Sequence, residues 1–445
     1  MLDVHQADVI FGLSPVWFAG TLFVITYVLI VTERLNRAII SMMAAALMIM
    51  SGVLTQQAAV KGVDFNTIGL LTGMMIIVGI TRDSGVFQYL AIRSAKMVKA
   101  DPWGILVMLM MVTAVLSALL DNVTTVLLIA PVTLLITDTL KLSAYPYLFA
   151  EIFAANIGGT ATLIGDPPNI MIGSATGLGY NDFLFNLAPI SIFILFVSII
   201  PIYVIWGRKL KADPKLIQKV MLYREIDAIH DWVLLKKSLF VLTLVMIGFI
   251  VGHDYGLQPA TAAMFGAALL LTLNCLPHGQ EKQTELVTKS LNDIEWITIF
   301  FFIGLFILVY GVESTGILEA LAHQVLGLTG GDKTVTAISI LFVSAVASTI
   351  VDNIPFVATM IPLIKNMAVS FGGAAQLEPI WWSLALGSCL GGNGSLVGAS
   401  ANLIVAGFAE RSGQPIHFLP FMLIAFPMMM VSVMISSLYV YLRYF

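Results

Sequence analysis

Four short polar stretches interrupt an otherwise apolar chain, and their residue types suggest solute binding coupled to proton transfer. DNVTT, from Asp121, and DNIPF, from Asp352, each place an acid and an amide inside an apolar run. GGTATLIGDPPN, from Gly158, and GGNGSLVGASAN, from Gly391, join glycine pairs to hydroxyls and amides, and the first also carries Asp166. The candidate solute ligands are Asn122, Thr124, Thr125, Gly159, Thr160, Thr162 and Asn169, with Asn353, Gly392, Asn393, Ser395, Ser400 and Asn402 further along. Asp121, Asp166 and Asp352 are the candidate proton-coupling groups. Ionisable groups inside a membrane are functional candidates by default, and removal from water favours a neutral carboxylic acid. An acid in such a place can take up a proton as solute leaves. Each group also has a structural reading. Asp121 and Asp352 fit as helix N-caps, the asparagines as ties for broken backbone, and the hydroxyls as partners of their own helices.

The surrounding composition explains why these groups stand out. Hydrophobic residues make up 59% of the chain and charged residues 11%, which identifies an integral membrane protein. Apolar runs of about 17 to 25 residues, enough to cross a roughly 30 Å hydrocarbon core as helix, recur almost to the C-terminus. The short alternating segments of an outer-membrane barrel are absent. The net charge of −4 implies no nucleic-acid partner. Cys275 and Cys389 lack metal-site spacing and read as packing residues, so neither a metal nor a cofactor is expected. Asp3, His5 and Asp8, without a basic region, argue against a cleaved leader. The first span then acts as its own insertion signal.

Ten spans are expected near residues 16–31, 38–54, 67–80, 147–177 and 185–206, then 239–252, 260–273, 294–310, 380–407 and 418–442. Between the third and fourth of each set lies an apolar stretch with a polar knot, in regions 103–141 and 333–370. Arms of about 15 residues reach only about 22 Å, so both stretches read as re-entrant helical hairpins. The fourth span of each set is broken by its glycines or prolines, at 147–177 and 380–407.

Five spans is odd, so two halves sharing a fold must be inverted. Asp121, Asn122 and Pro131 recur 231 positions later as Asp352, Asn353 and Pro362. Gly158, Gly159, Leu163, Gly165 and Asn169 recur 233 positions later as Gly391, Gly392, Leu396, Gly398 and Asn402. The fold class is therefore an all-α polytopic membrane protein of two inverted-topology repeats of five spans. Each repeat has a re-entrant hairpin and a discontinuous helix. The repeats occupy 1–207 and 238–445, with a connector at 208–237. With the N-terminus outside, 18 of the 22 Lys and Arg residues fall on the cytoplasmic side, and only Lys61, Lys333, Lys365 and Arg443 outside. This places the protein in a bacterial inner (plasma) membrane with both termini periplasmic or extracellular. KLIQKVMLYREI in the connector has helical periodicity. It reads as a solvated or interface-lying link, with docking of a cytosolic ATPase subunit as the alternative.

No Lys or Arg lies in the four motifs, whereas three carboxylates do. A multiply charged anion would meet repulsion there unless the acids were protonated. A neutral polyhydroxy solute or a cation fits better.

At these residues the chain resembles the ion transporter superfamily, in the branch holding the ArsB arsenite pumps and the melanosomal P protein. DNVTT, IGDPPN, DNIPF and GGNGSLVGASAN are similar to the P protein pattern. ArsB pumps differ from DNVTT and GDPPN at the corresponding motifs. More distantly, the hairpin tips resemble the Ser-Asn-Thr tips of sodium/dicarboxylate symporters, with Asp121 and Asp352 standing where the first serine would be. The resemblance implies a scaffold domain, a transport domain, alternating access and often a homodimer. It further implies export of arsenite or antimonite, as neutral trihydroxides, in exchange for protons. Sodium/proton exchange and organic-anion transport are the alternatives, and a passive anion channel is a third reading. No HExxH or GxSxG motif is present, so the chain is not expected to be an enzyme.

Overall fold

In lipid the first N–H groups of a helix find no water, so helix starts need residues that cap them or lack a donor. This chain supplies both. Pro15, Pro102, Pro167 and Pro259 open helices at a position where the missing N–H costs nothing. Asp64, Asp101, Asp121 and Asp332 accept backbone N–H bonds at helix starts. The computed structural model describes residues 12–32 and 34–445. Asp3, His5 and Asp8, on which the reading of the leader rested, lie outside the described residues.

The first repeat runs α1 (Pro15–Val31), α2 (Arg37–Met50), short α3 (Gln56–Gly62), α4 (Phe65–Arg82) and α5 (Val86–Met97). It continues through the hairpin α6 (Pro102–Leu119) and α7 (Asn122–Thr139), the broken pair α8 (Tyr145–Thr160) and α9 (Pro167–Thr176), and α10 (Tyr180–Ile205). The connector holds α11 (Pro214–Met221). The second repeat starts with α12 (Trp232–Val251), α13 (Pro259–Cys275), α14 (Gln280–Asn292), α15 (Trp296–Ser314) and α16 (Ile317–Leu328). The hairpin α17 (Lys333–Ile350) and α18 (Asn353–Asn366), the pair α19 (Glu378–Gly391) and α20 (Ser400–Arg411), and α21 (Phe418–Tyr444) complete it. Both α5 and α16 follow a left-handed glycine, Gly85 at φ 84° and Gly316 at φ 79°. Among the described residues, eight helices, three of them hairpin arms, are long and apolar enough to cross a membrane, while α1, α2 and α13 are shorter apolar helices.

Two departures from the sequence expectation have physical reasons. Arms α6, α7 and α17 each hold 18 residues, about 27 Å rather than 22 Å, and each starts at an N-capping acid, Asp101, Asp121 or Asp332. The connector helix ends at Met221 instead of running through KLIQKVMLYREI. There Tyr223 pairs with Thr139 at the end of α7 (2.8 Å), and Glu225 pairs with Lys96 of α5 (2.5 Å), which draws the chain off the helix axis. The connector is thus strapped across the open end of the first hairpin.

That strap defines one face of the molecule. Lys61, Asp64, Glu313 and Lys365 line a cavity at the opposite end, beside the open end of the second hairpin. The hairpins therefore enter from opposite faces, as inverted repeats require.

Packing follows the same symmetry. Helix α4 packs on α13 and α2 on α15, each pair uniting the two repeats. Gly73 lets α4 approach the backbone of Ala263, and its counterpart Gly304 lets α15 approach Ser41; a Cβ would meet those carbonyl carbons at 2.7 and 2.5 Å. Within each repeat α6 packs on α8, and α17 on α19. Gly158 and Gly391 are the contact points, where a Cβ would lie 2.2 Å from the Ala114 oxygen and 2.5 Å from that of Ala345.

Gly158→Ala and Gly391→Ala should each destabilise by about 1–3 kcal/mol through overpacking. Gly327→Ala, with open space around it, should be neutral or stabilise by up to about 1 kcal/mol; thermal unfolding followed by size-exclusion chromatography distinguishes these outcomes. The hydrogen bond from Lys96 holds the Glu225 carboxyl below the usual glutamate range. Its contribution is therefore present above that range and lost as pH falls through the folded-state value. Limited proteolysis of the connector should accelerate on acidification, and Glu225→Gln should show the faster cleavage already at neutral pH.

Candidate functional site

Each hairpin tip is a sharp reversal capped by its own acid. Asp121 accepts from the Thr124 backbone N–H (2.7 Å) and hydroxyl (2.5 Å), and the Asn122 N–H donates to the Gly165 carbonyl (3.1 Å). The first tip is thereby tied to the break between α8 and α9. Asp352 accepts from the Ile354 N–H (3.2 Å) in the second tip.

The breaks expose carbonyls that lipid could not satisfy, and asparagines fill that need. The Asn169 amide donates to the carbonyls of Gly159, Thr160 and Thr162 (3.3, 3.2 and 2.9 Å). Asn402 donates to Gly392 and Ser395 (2.7 and 2.8 Å), the equivalent positions of the other repeat. Thr162 and Ser395 each bond back to the first arm of their hairpin, at Ala118 and Thr349 (2.6 Å each). Thr160 bonds the Asn156 carbonyl (2.7 Å). The side chains of Asn169, Asn402, Thr160, Thr162 and Ser395 are thus committed to holding broken backbone. Gly159 and Gly392 matter for close approach: a Cβ would meet the Gly165 oxygen at 2.6 Å in one and Ala399 at 3.1 Å in the other.

Symmetry fails where chemistry concentrates. Asp166 corresponds to Ala399, so one repeat alone carries this acid. It is fully buried, and its oxygens accept from the Asn353 amide at 3.2 and 3.3 Å, a contact from the tip of one repeat to the break of the other. Asp121 and Asp352 lie within electrostatic range. The Cys389 thiol donates to Asn169 Oδ1 (3.5 Å) and completes this wall.

Asn156, which sequence reasoning missed, is the junction of the site. It accepts from Asn122 (3.3 Å) and donates to Asn393 and Asn402 (3.0 Å each), linking one tip to the opposite break. Its counterpart is Cys389, so the repeat hides it; the signal available was a lone amide in the apolar helix FAANIGG. Asn393 Nδ2 and Thr125 Oγ1 are buried without a protein partner among the described residues, which leaves them free to meet a solute.

The four motifs contain no cation, yet Arg37 of α2 supplies one. Its Nη1 lies 2.7 Å from Asp352 and 2.6 Å from Ser400, whose hydroxyl also donates to Asp352 (2.7 Å). Phe301 packs beneath the guanidinium at 5.0 Å. The three polar groups line a cavity of about 280 Å³ with Glu295 and Val123.

Comparison with known proteins agrees with this architecture. A family model, CitMHS, described as citrate transporter, matches residues 27–387. An uncharacterized transporter of Mycobacterium tuberculosis is 42% identical over 431 residues, spanning 96% of this chain and 98% of its own. The P protein of Sus scrofa is 32% identical over 507 residues, covering 96% of this chain and 59% of its own length. The crystal structure of the YdaH transporter of Alcanivorax borkumensis, which has an unusual topology, superposes with a TM-score of 0.58 at 15% identity, over 96% of each chain. That likeness concerns the fold alone. The inverted-repeat fold and the extended match together lead to one conclusion: this chain is a multi-pass membrane protein that belongs to the CitMHS citrate transporter family of the ion transporter superfamily.

Proposed function

We propose that this protein is a secondary active transporter that exports a small neutral polyhydroxy solute, arsenite or antimonite as the trihydroxide, in exchange for protons by alternating access. The observation that carries this reading is Asp166, a buried acid with an amide and no cation against it, set where two inverted repeats meet. An isolated carboxylate in low dielectric is costly, so its stable states are a protonated acid or a site occupied by solute. Solute entry expels the proton and solute departure readmits it, which couples the two fluxes. Asn393 Nδ2 and Thr125 Oγ1 supply hydrogen bonds to solute hydroxyls, and Asp121 and Asp352 serve as further proton carriers at the two tips.

Transport of an organic anion is the second reading. The family's description as citrate transporter favours it, as does the guanidinium of Arg37 beside the cavity. Against it, that guanidinium is already neutralised by Asp352 at 2.7 Å. The basic connector favours an orientation with the strap in the cytoplasm of a bacterial plasma membrane and both termini outside.

In proteoliposomes offered arsenite, antimonite, sodium and citrate at two pH values, arsenite or antimonite uptake should require a pH gradient, and Asp166→Asn should abolish it. Citrate uptake in its place would select the second reading. Asn156→Ala should cost about 1–3 kcal/mol, since it strands the buried Asn393 and Asn402 carbonyl oxygens, and should lower the unfolding temperature. An impermeant thiol reagent should reach Lys61→Cys in intact cells, and Lys219→Cys only after permeabilisation.

A further inference from the structure

The reading above leaves Arg37 without a task, yet it sits on a boundary. Helices α1, α2 and α15 form one packing group, whereas the second tip and α20 belong to the group that holds the site. Arg37 crosses between them, touching Asp352 at 2.7 Å and Ser400 at 2.6 Å. Tyr27 of α1 reinforces the crossing through the Pro355 carbonyl (2.5 Å) and Thr359 (2.6 Å). The other repeat has no equivalent: Arg37 corresponds to Pro259, and Ser400 to Pro167. Asp121 accordingly has only Thr124 and its own backbone.

We propose that Arg37 is a positioning residue whose ion pair with Asp352 holds the second hairpin tip against α2 until Asp352 takes up a proton. The proton comes from hydronium in the bulk solvent, which reaches the adjoining cavity, and bonds to a carboxylate oxygen of Asp352, leaving a water molecule behind. Arg37 keeps its own protons and charge, loses its counter-ion, and releases the tip. Among the described residues, the charged groups facing Asp352 are Arg37 from α2, Glu295 at the start of α15 and Asp166 from the break. The two acids repel the Asp352 carboxylate, and the Arg37 guanidinium attracts it. This inference rests on the proton-coupled reading for its role in transport, while the tie itself is testable without any solute.

The test uses full-length protein in proteoliposomes, with Leu403→Cys, on the cavity wall, labelled by an impermeant thiol reagent across a pH series without solute. Labelling should rise on acidification as the tie opens. Arg37→Gln should move that transition alkaline, since it removes the adjacent cation that favours the charged carboxylate. Arg37→Lys should restore most of the original profile, and Asp352→Asn should remove the pH dependence. A profile unmoved by Arg37→Gln would overturn the proposal. Should that variant fail to fold, Glu295→Gln decides instead, because loss of a facing acid should shift the transition toward acid; no shift would equally overturn it. A pH-dependent label without proton-driven flux would sink the transport reading and leave the tie standing.

Discussion

Backbone that leaves a helix inside a bilayer must find its hydrogen bonds in protein, and the arrangement of this molecule follows from that constraint. Two hairpin tips and two interrupted helices cannot each stand alone against lipid. They meet because each supplies what another lacks. Asn169 and Asn402 close the carbonyls opened by the glycine breaks, Thr162 and Ser395 fasten those breaks to the hairpins, and Asn156 joins the two halves. A polar cavity at membrane depth is the consequence of that mutual satisfaction.

Near-symmetry then gives the deviations their meaning. Glycines at equivalent positions produce equivalent close approaches, Gly73 with Gly304 and Gly158 with Gly391, so the two repeats are built by one packing scheme. The halves differ where the scheme makes no demand: Asp166 stands opposite Ala399, Arg37 opposite Pro259 and Asn156 opposite Cys389. A pair of identical halves would bind solute alike from both faces. Unequal halves let affinity differ between the two faces, while the imposed gradients alone set the direction of net flux.

Much of this was legible in the sequence, because lipid imposes strict local rules. Apolar run length located the spans, and the recurrence of Asp-Asn and Gly-Gly pairs at offsets of 231 and 233 disclosed the repeat. Gly85 and Gly316, also 231 positions apart, head the matching helices α5 and α16. Contacts between distant segments were not legible. Arg37 reads as an ordinary positive loop residue, and only the packing of α2 on α15 brings it to Asp352. The hydroxyls divided in a way spacing could not foresee: Thr160, Thr162 and Ser395 bond to backbone, whereas Thr125 has no partner among the described residues. Hairpin arms exceeded the expected length, with N-capping acids rather than the apolar run setting where they start.

Cryo-electron microscopy of the protein in lipid nanodiscs bears most directly on the central claim, that inverted repeats converge on the buried carboxyl of Asp166. The open ends of the two hairpins should emerge on opposite faces, with the Asn353 amide against the Asp166 carboxyl. Hairpins opening on the same face, or Asp166 standing in bulk water away from Asn353, would contradict it.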